Sequence, residues 1–281
     1  MRRFFLFFCF FVFGGLLGAD SQLLHPVVGT YKGKSAQDMA IYGDNAYLMS
    51  DGGHCRVLNL LSGAVEKEFH LACSNKKPHI NAVCFGSEKL EDASIPVIYV
   101  SATDKPHCCY VESLTKDSSK TVQTIEAMEN GKIYSNHNWI VDDENGLLYG
   151  LKCFWHQYID DVGNVKTVIT KYRLPRLDEG EKVVLSEKDI LDRFDVSFPN
   201  ALQGAVIRRG KLYIASGMQE KEKNNTETER AIIVINLKKK RIVKKVNINL
   251  LTTNEPEGIA FYHNKCLLFC GQTGGLYKVN L

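Results

Sequence analysis

The chain has 281 residues, with 35 basic and 32 acidic side chains, nine cysteines and only seven prolines. At 44% hydrophobic and 24% charged it has the composition of a folded globular protein, which excludes a disordered or fibrous chain. Near-balanced charge without a lysine/arginine field argues against a nucleic-acid binder.

The N-terminus reads first as a targeting signal. Met1-Arg2-Arg3 opens an apolar run from Phe4 to Leu17, closed by Gly18-Ala19 before Asp20. A cationic start, an apolar core and small residues ahead of a polar segment have the form of a secretory signal peptide. The run is shorter than the ~20 residues of a membrane span. Residues 1–19 are therefore expected to be a leader and 20–281 a secreted or periplasmic domain with no membrane span once the leader is removed. Loss of Arg2 and Arg3 lowers the formal charge from +3 to +1.

Beyond the leader, β-prone runs recur in a fixed order. Val27-Val28-Gly29-Thr30-Tyr31 is a lone strand. A first unit follows with runs at Met39–Tyr42, Ala46–Met49, Val57–Leu60 and Ala64–Leu71. A second has Ala82–Phe85, Val97–Val100, Val111–Leu114 and Thr121–Ile125. A third has Trp139–Val141, Leu147–Tyr149, Lys171–Leu174 and Lys182–Leu185, and then a short helix expected from the Ser186 N-cap through Phe194. A fourth has Ala205–Ile207, Leu212–Ile214, Val234–Leu237 and Arg241–Ile248. A fifth has Ile259–Tyr262, Cys266–Phe269 and Lys278–Leu281, and lacks a fourth run. Turn residues such as Gly43-Asp44-Asn45, Arg209-Gly210 and His263-Asn264 separate the first two runs of a unit.

Repeated hairpin-linked strands in series predict an all-β, single five-bladed β-propeller, with six blades the alternative. An unpaired edge on the fifth blade would be a liability. The lone N-terminal strand at Val27–Tyr31 is therefore expected to complete that blade and close the ring.

The repeat also interprets the cysteines. Cys55, Cys84, Cys109, Cys266 and Cys270 fall in slots that other units fill with small or apolar residues, so they read as packing residues. Cys73, Cys108 and Cys153 fit no slot and stay candidates for a bond or a reactive thiol. His54-Cys55 and His107-Cys108-Cys109 lack convincing metal-ligand spacing. Glu220–Arg230, which contains Asn224-Asn225-Thr226, reads as a polar loop. Phe154–Tyr158 reads as an aromatic loop leading into Asp160-Asp161, and Lys238–Arg241 as a solvated hairpin turn. No P-loop, dinucleotide glycine fingerprint, Gly-x-Ser-x-Gly elbow or His-Glu-x-x-His motif is present.

Candidate site residues come from the openings of the first strands, which line the channel of a propeller. They are Gln37-Asp38, His79 with Asn81, His137-Asn138, Gln203-Gly204 and Glu255-Pro256-Glu257-Gly258. Such convergent carboxylate, amide and imidazole groups suit a small molecule, a glycan or a protein terminus. A divalent cation at the same mouth is the one cofactor they admit. For catalysis, Glu257 or Asp38 is the candidate base and His137 the candidate acid.

Glu255-Pro256-Glu257-Gly258-Ile259-Ala260, Leu202-Gln203-Gly204-Ala205 and Gly210-Lys211-Leu212-Tyr213 resemble strand openings of extracellular five- and six-bladed propellers. Those include the NHL-repeat, gluconolactonase-like and plant-type glutaminyl cyclotransferase groups. In blade pattern, from about Gln37 to Leu281, the chain is more closely similar to exported propeller proteins of Bacteroides-type bacteria. The lactonase resemblance implies a channel metal, with Glu257, Asn81 and Asp38 in its place. The cyclotransferase resemblance implies a channel glutamate, for which Glu257 is the candidate. Two functions are carried forward: a binding or scaffold module using the channel mouth, and a channel-site hydrolase or cyclotransferase.

Overall fold

The computed structural model describes residues 21–25, 36–154, 164–199, 202–218, 229–271 and 275–281. The expected leader, Val27–Tyr31, Trp155–Tyr158, Asp160-Asp161 and the Asn224-Asn225-Thr226 site lie outside the described residues.

Five antiparallel sheets follow one another in chain order, each one blade of a propeller. Their inner strands are Ala36–Tyr42, Ile80–Phe85, Asn138–Asp142, Leu202–Arg208 and Pro256–Tyr262. These five contact one another around the ring. The next two strands of most blades are buried on both faces, hence their dense Val/Ile/Leu content, as in the all-apolar start of Ala231–Asn236. Outer strands such as Arg241–Asn247 are largely exposed, because one side meets water.

The core consists of five clusters, each between adjacent blades. One joins Met49 and Val57 of the first blade to Val83 and Val100 of the second. The last joins Met39 and Leu48 of the first to Leu267 and Leu276 of the fifth, so packing runs all the way round. A buried carboxylate adds a polar tie. Glu112, on the second blade, accepts from the backbone N–H groups of Ala72 and Cys73 at 3.2 and 3.1 Å, and from Ser119 and Thr121 hydroxyls at 2.5 and 2.6 Å. It pins the link between the first two blades.

The ring closes as the repeat requires, through an N-terminal strand on the fifth blade. The strand is Ser21–His25 rather than Val27–Tyr31, and it pairs antiparallel with Gly275–Val279. Two further expectations are corrected in the third blade. Its outer strand is Ile190–Pro199, and Lys182–Leu185 instead adds a parallel strand to the outer edge of the second blade, beside Ser119–Glu129. The helix predicted after Ser186 is a single 3-10 turn, Glu187–Asp189, closed by Asp189 accepting from the Ser186 N–H and hydroxyl at 2.7 and 2.8 Å. From Ile190 onward, residues 190, 192, 194, 196 and 198 are the more buried, and 191, 193, 195 and 197 are exposed. That period of two fits a strand, and it overrides the helix start signal.

All eight cysteines of the described residues are buried thiols. For Cys73, Cys108 and Cys153 the expected bond or reactive thiol is therefore replaced by packing. Burial pushes the Cys108 thiol up to about 11 and raises that of Cys73 further, the opposite of an activated nucleophile. Lys238–Lys240 forms the expected exposed turn, with Asn236 Oδ1 accepting from the Lys239 N–H at 2.7 Å.

Candidate ligand site at the channel mouth

In four blades the inner strand slips register with its neighbour at its polar opening. The breaks fall between Ala36 and Met39, Ile80 and Ala82, Leu202 and Ala205, and Pro256 and Gly258. A bulge re-aims side chains out of strict alternation, and Gln37, Asp38, Asn81, Gln203 and Glu257 all lie in these breaks. The third blade stays regular, with Asn138 opposite Leu151.

An amide relay links the blades here. Asn81 Nδ2 donates to Asn138 Oδ1 at 2.5 Å, and Asn138 Nδ2 donates to the Gln203 carbonyl at 2.6 Å. Gln203 Nε2 then donates to Glu255 Oε1. Four blades are joined by side chains that sequence reasoning had chosen only as donors and acceptors.

Asp38 sits deeper. It is fully buried and accepts the Val83 N–H, from the next blade, at 2.7 Å. Space for its carboxylate exists because two inner strands carry glycine at the matching position. A Cβ on Gly258 would lie 2.6 Å from Asp38 Oδ1 and 2.8 Å from the Met39 nitrogen, and one on Gly204 would come closer still. Burial raises the Asp38 pKa well above the usual carboxylate range, although N–H groups of Val83, Met39 and Ile259 oppose the rise.

Glu257 and Glu255 stand together at the opening of the fifth blade. Glu257 is buried, with Oε1 close enough to Gly271 that a Cβ there would be 2.7 Å away. Its Oε2 is buried and has no hydrogen-bond partner. Desolvation raises its pKa well above the ordinary value, and the charges of Glu255, Asp38 and Asp51 push the same way. Glu255 is also raised by burial, against the hydrogen bond from Gln203. Asp51, a turn residue, belongs to this acidic field and carried no sequence signal for it.

His137 belongs to a different group. Its Nδ1 accepts the Cys153 N–H at 3.1 Å, leaving any proton on Nε2. Burial first, then the charges of His107 and Lys152, lower its pKa to about 4, and Asp104 only partly opposes them. At neutral pH it is an uncharged imidazole, which is poor material for the general acid expected of it. Neither Glu257 nor Asp38 is among the charges acting on it. His79 is half-exposed with Nδ1 3.7 Å from Asp104 Oδ2. Of the expected triad, Glu257 and Asp38 act on one another, while His137 is influenced by His107, Lys152 and Asp104. Among the described residues, no three or more His, Cys, Asp or Glu side chains are grouped to hold a metal ion.

The inner strands also end in a cavity of about 360 Å³ at the opposite mouth, which the sequence reading did not single out. Its walls come from all five blades, including Ile41, Phe85, Val141, Ile207 and Phe261.

No protein-family model matches the chain, and no curated protein matches it. Among solved structures it is similar to the glutaminyl cyclase of Myxococcus xanthus, at 12% identity and a TM-score of 0.53, over 92% of this chain and 95% of that one. The hydrazine synthase of Kuenenia stuttgartiensis matches at 11% identity and a TM-score of 0.41, over 84% of this chain and 61% of that one. The computationally designed protein Ika8 matches at 9% identity and a TM-score of 0.34, over 87% of this chain and 70% of that one. At such identity the likeness to the cyclase extends to the fold: this chain is a five-bladed β-propeller.

Proposed function

We propose that this chain is an exported β-propeller that binds a small ligand carrying a protonated amine at its polar channel mouth. The observation that carries the reading is the Glu255–Glu257 pair, with Glu257 Oε2 buried and unpartnered. A buried polar atom without a partner costs about 1–3 kcal/mol, and an ammonium group would repay it by donating to that oxygen. Gln203, already bonded to Glu255, supplies an amide carbonyl as a further acceptor. Export rests on the form of residues 1–19, a short cationic start and an apolar run.

A second reading is enzymatic. A single carboxyl whose pKa is raised can accept a proton and return it. Conversion of an N-terminal glutamine to its cyclic form needs that service: the α-amine nitrogen bonds to the side-chain amide carbon, ammonia leaves, and one proton passes from the attacking to the leaving nitrogen. Glu257 is the residue for that transfer, and the shared architecture with a glutaminyl cyclase supports testing it.

A peptide with N-terminal glutamine separates the two. Binding that weakens at least tenfold on N-acetylation or in Glu257→Gln, without ammonia release, supports the binding module. Ammonia release that stops in Glu257→Gln supports the enzyme. Equal affinity for the free and acetylated peptides, or no binding of free-amine peptides, overturns the amine site.

A further inference from the structure

The second mouth of the channel has the features of a site in its own right. The inner strands leave the ring there through apolar residues, Ile41, Val83, Phe85, Ile207 and Phe261 among them, around a cavity of about 360 Å³. That volume lies at the lower end of small-molecule pockets. Its charges are segregated. On the third blade, Asp142, Asp143 and Glu144 form one edge. Asp142 is buried and its carboxylate is met by a neutral donor, Asn145 Nδ2, at 3.1 and 2.9 Å. Asp143 and Glu144 are exposed. On the neighbouring fourth blade and on the fifth stand Arg208 and His263. Arg208 spends its contacts on neutral groups: its guanidinium lies 4.6 Å from the Phe261 ring centroid and donates to Asn264 Oδ1 at 3.0 Å.

We infer that this mouth binds a small zwitterion with an apolar body, such as an apolar dipeptide. Its ammonium would face Asp142 and Asp143, its carboxylate Arg208, and its side chains the apolar wall. An apolar ligand alone would waste both charged edges, and a simple cation would leave Arg208 unmatched inside a partly desolvated cavity, where opposite charges interact more strongly than in water. A guanidinium held over an aromatic ring loses less freedom on pairing with a carboxylate. The inference is independent of the amine site at the other mouth, since it shares no residue with Glu255 or Glu257.

Calorimetric titration of the full chain with leucyl-leucine, its N-acetyl form and its C-terminal amide tests the assignment. Read in the Glu257→Gln background, which silences the amine site at the other mouth, the expected result is binding of the free dipeptide alone, weakened at least tenfold by either cap and by Arg208→Met or Asp143→Asn. Thermal unfolding checks that each variant is folded, and Asp143, being exposed, gives a variant whose folding is not at stake. Absence of binding to the wild type overturns the assignment, as does binding indifferent to both caps. Loss in Glu257→Gln with retention in both second-mouth variants moves the dipeptide to the other mouth and overturns it equally.

Discussion

The two mouths of one channel are built from the same five strands, yet they differ in kind. At the strand starts, polar side chains are buried, bulged out of register and tied to one another from blade to blade. At the strand ends, the walls are apolar and the charges stand on the rim, acidic on the third blade and basic on the fourth and fifth. The difference follows from position in the ring. Where inner strands slip register, side chains converge, so each polar group must find a partner or raise its pKa; where they end in regular pairing, side chains splay and leave a cavity. The first mouth is thus frame and site together, while the second can change with little cost to the frame.

The largest effect should come from filling the space around Asp38. Gly204→Val places a branched side chain against Asp38 Oδ1 and within 2.5 Å of the Glu257 carbonyl at its Cβ. Overpacking against backbone should cost about 3 kcal/mol, read as a loss in denaturant midpoint. A variant as stable as wild type would show that the strand starts are not the frame.

Next comes the amide relay. Asn138→Ala removes the acceptor for Asn81 and the donor to the Gln203 carbonyl, and should cost roughly 2 kcal/mol, because buried polar groups lose their partners. A loss within the scatter of surface substitutions would sever the relay from stability.

The pH dependence of stability sharpens the contrast within the first mouth. His137 has a folded pKa of about 4, below the 6.5 of a free imidazole. The unfolded chain therefore takes up its proton first, and stability falls as pH drops from the upper value to the lower. Glu257 acts in the opposite sense. Its folded pKa is raised, so its contribution is fully present in acid and is lost as pH rises through the folded value. Glu257→Gln should leave thermal stability nearly unchanged near pH 4 and increase it by pH 8. A decrease at pH 8 would mean that the ionised carboxylate stabilises the native state.

The smallest effect belongs to the second mouth. Asp143→Asn should change stability by less than about 0.5 kcal/mol in chemical denaturation. A larger loss would make that rim part of the frame.

Much of this fold was legible in the residues because a blade is written in short apolar runs at turn-marked intervals. The third blade was misread where a genuine N-cap, Ser186 with Asp189, starts only one turn before Phe194, Val196 and Phe198 impose a strand. Closure was placed on Val27–Tyr31 because that run is apolar and β-branched, whereas the fifth blade takes up Ser21–His25, whose pairing is a backbone matter. At the site, the strand openings pointed to Gln203, Glu255 and Glu257, but not to the fate of His137. Its neutral state comes from burial and from His107, on a loop of the second blade, and Lys152, on the second strand of the third. Nor did any motif announce the second cavity, whose walls are short strand ends from all five blades.

The central claim, an ammonium received by Glu257, has a direct test in proton linkage. Burial raises the Glu257 pKa, and pairing with an ammonium lowers it again, so binding should release protons. Calorimetric titration of a peptide with N-terminal glutamine, in buffers of different ionisation enthalpy, should show net proton release in the wild type and none in Glu257→Gln. Binding without proton release, or the same release in both proteins, would contradict the account.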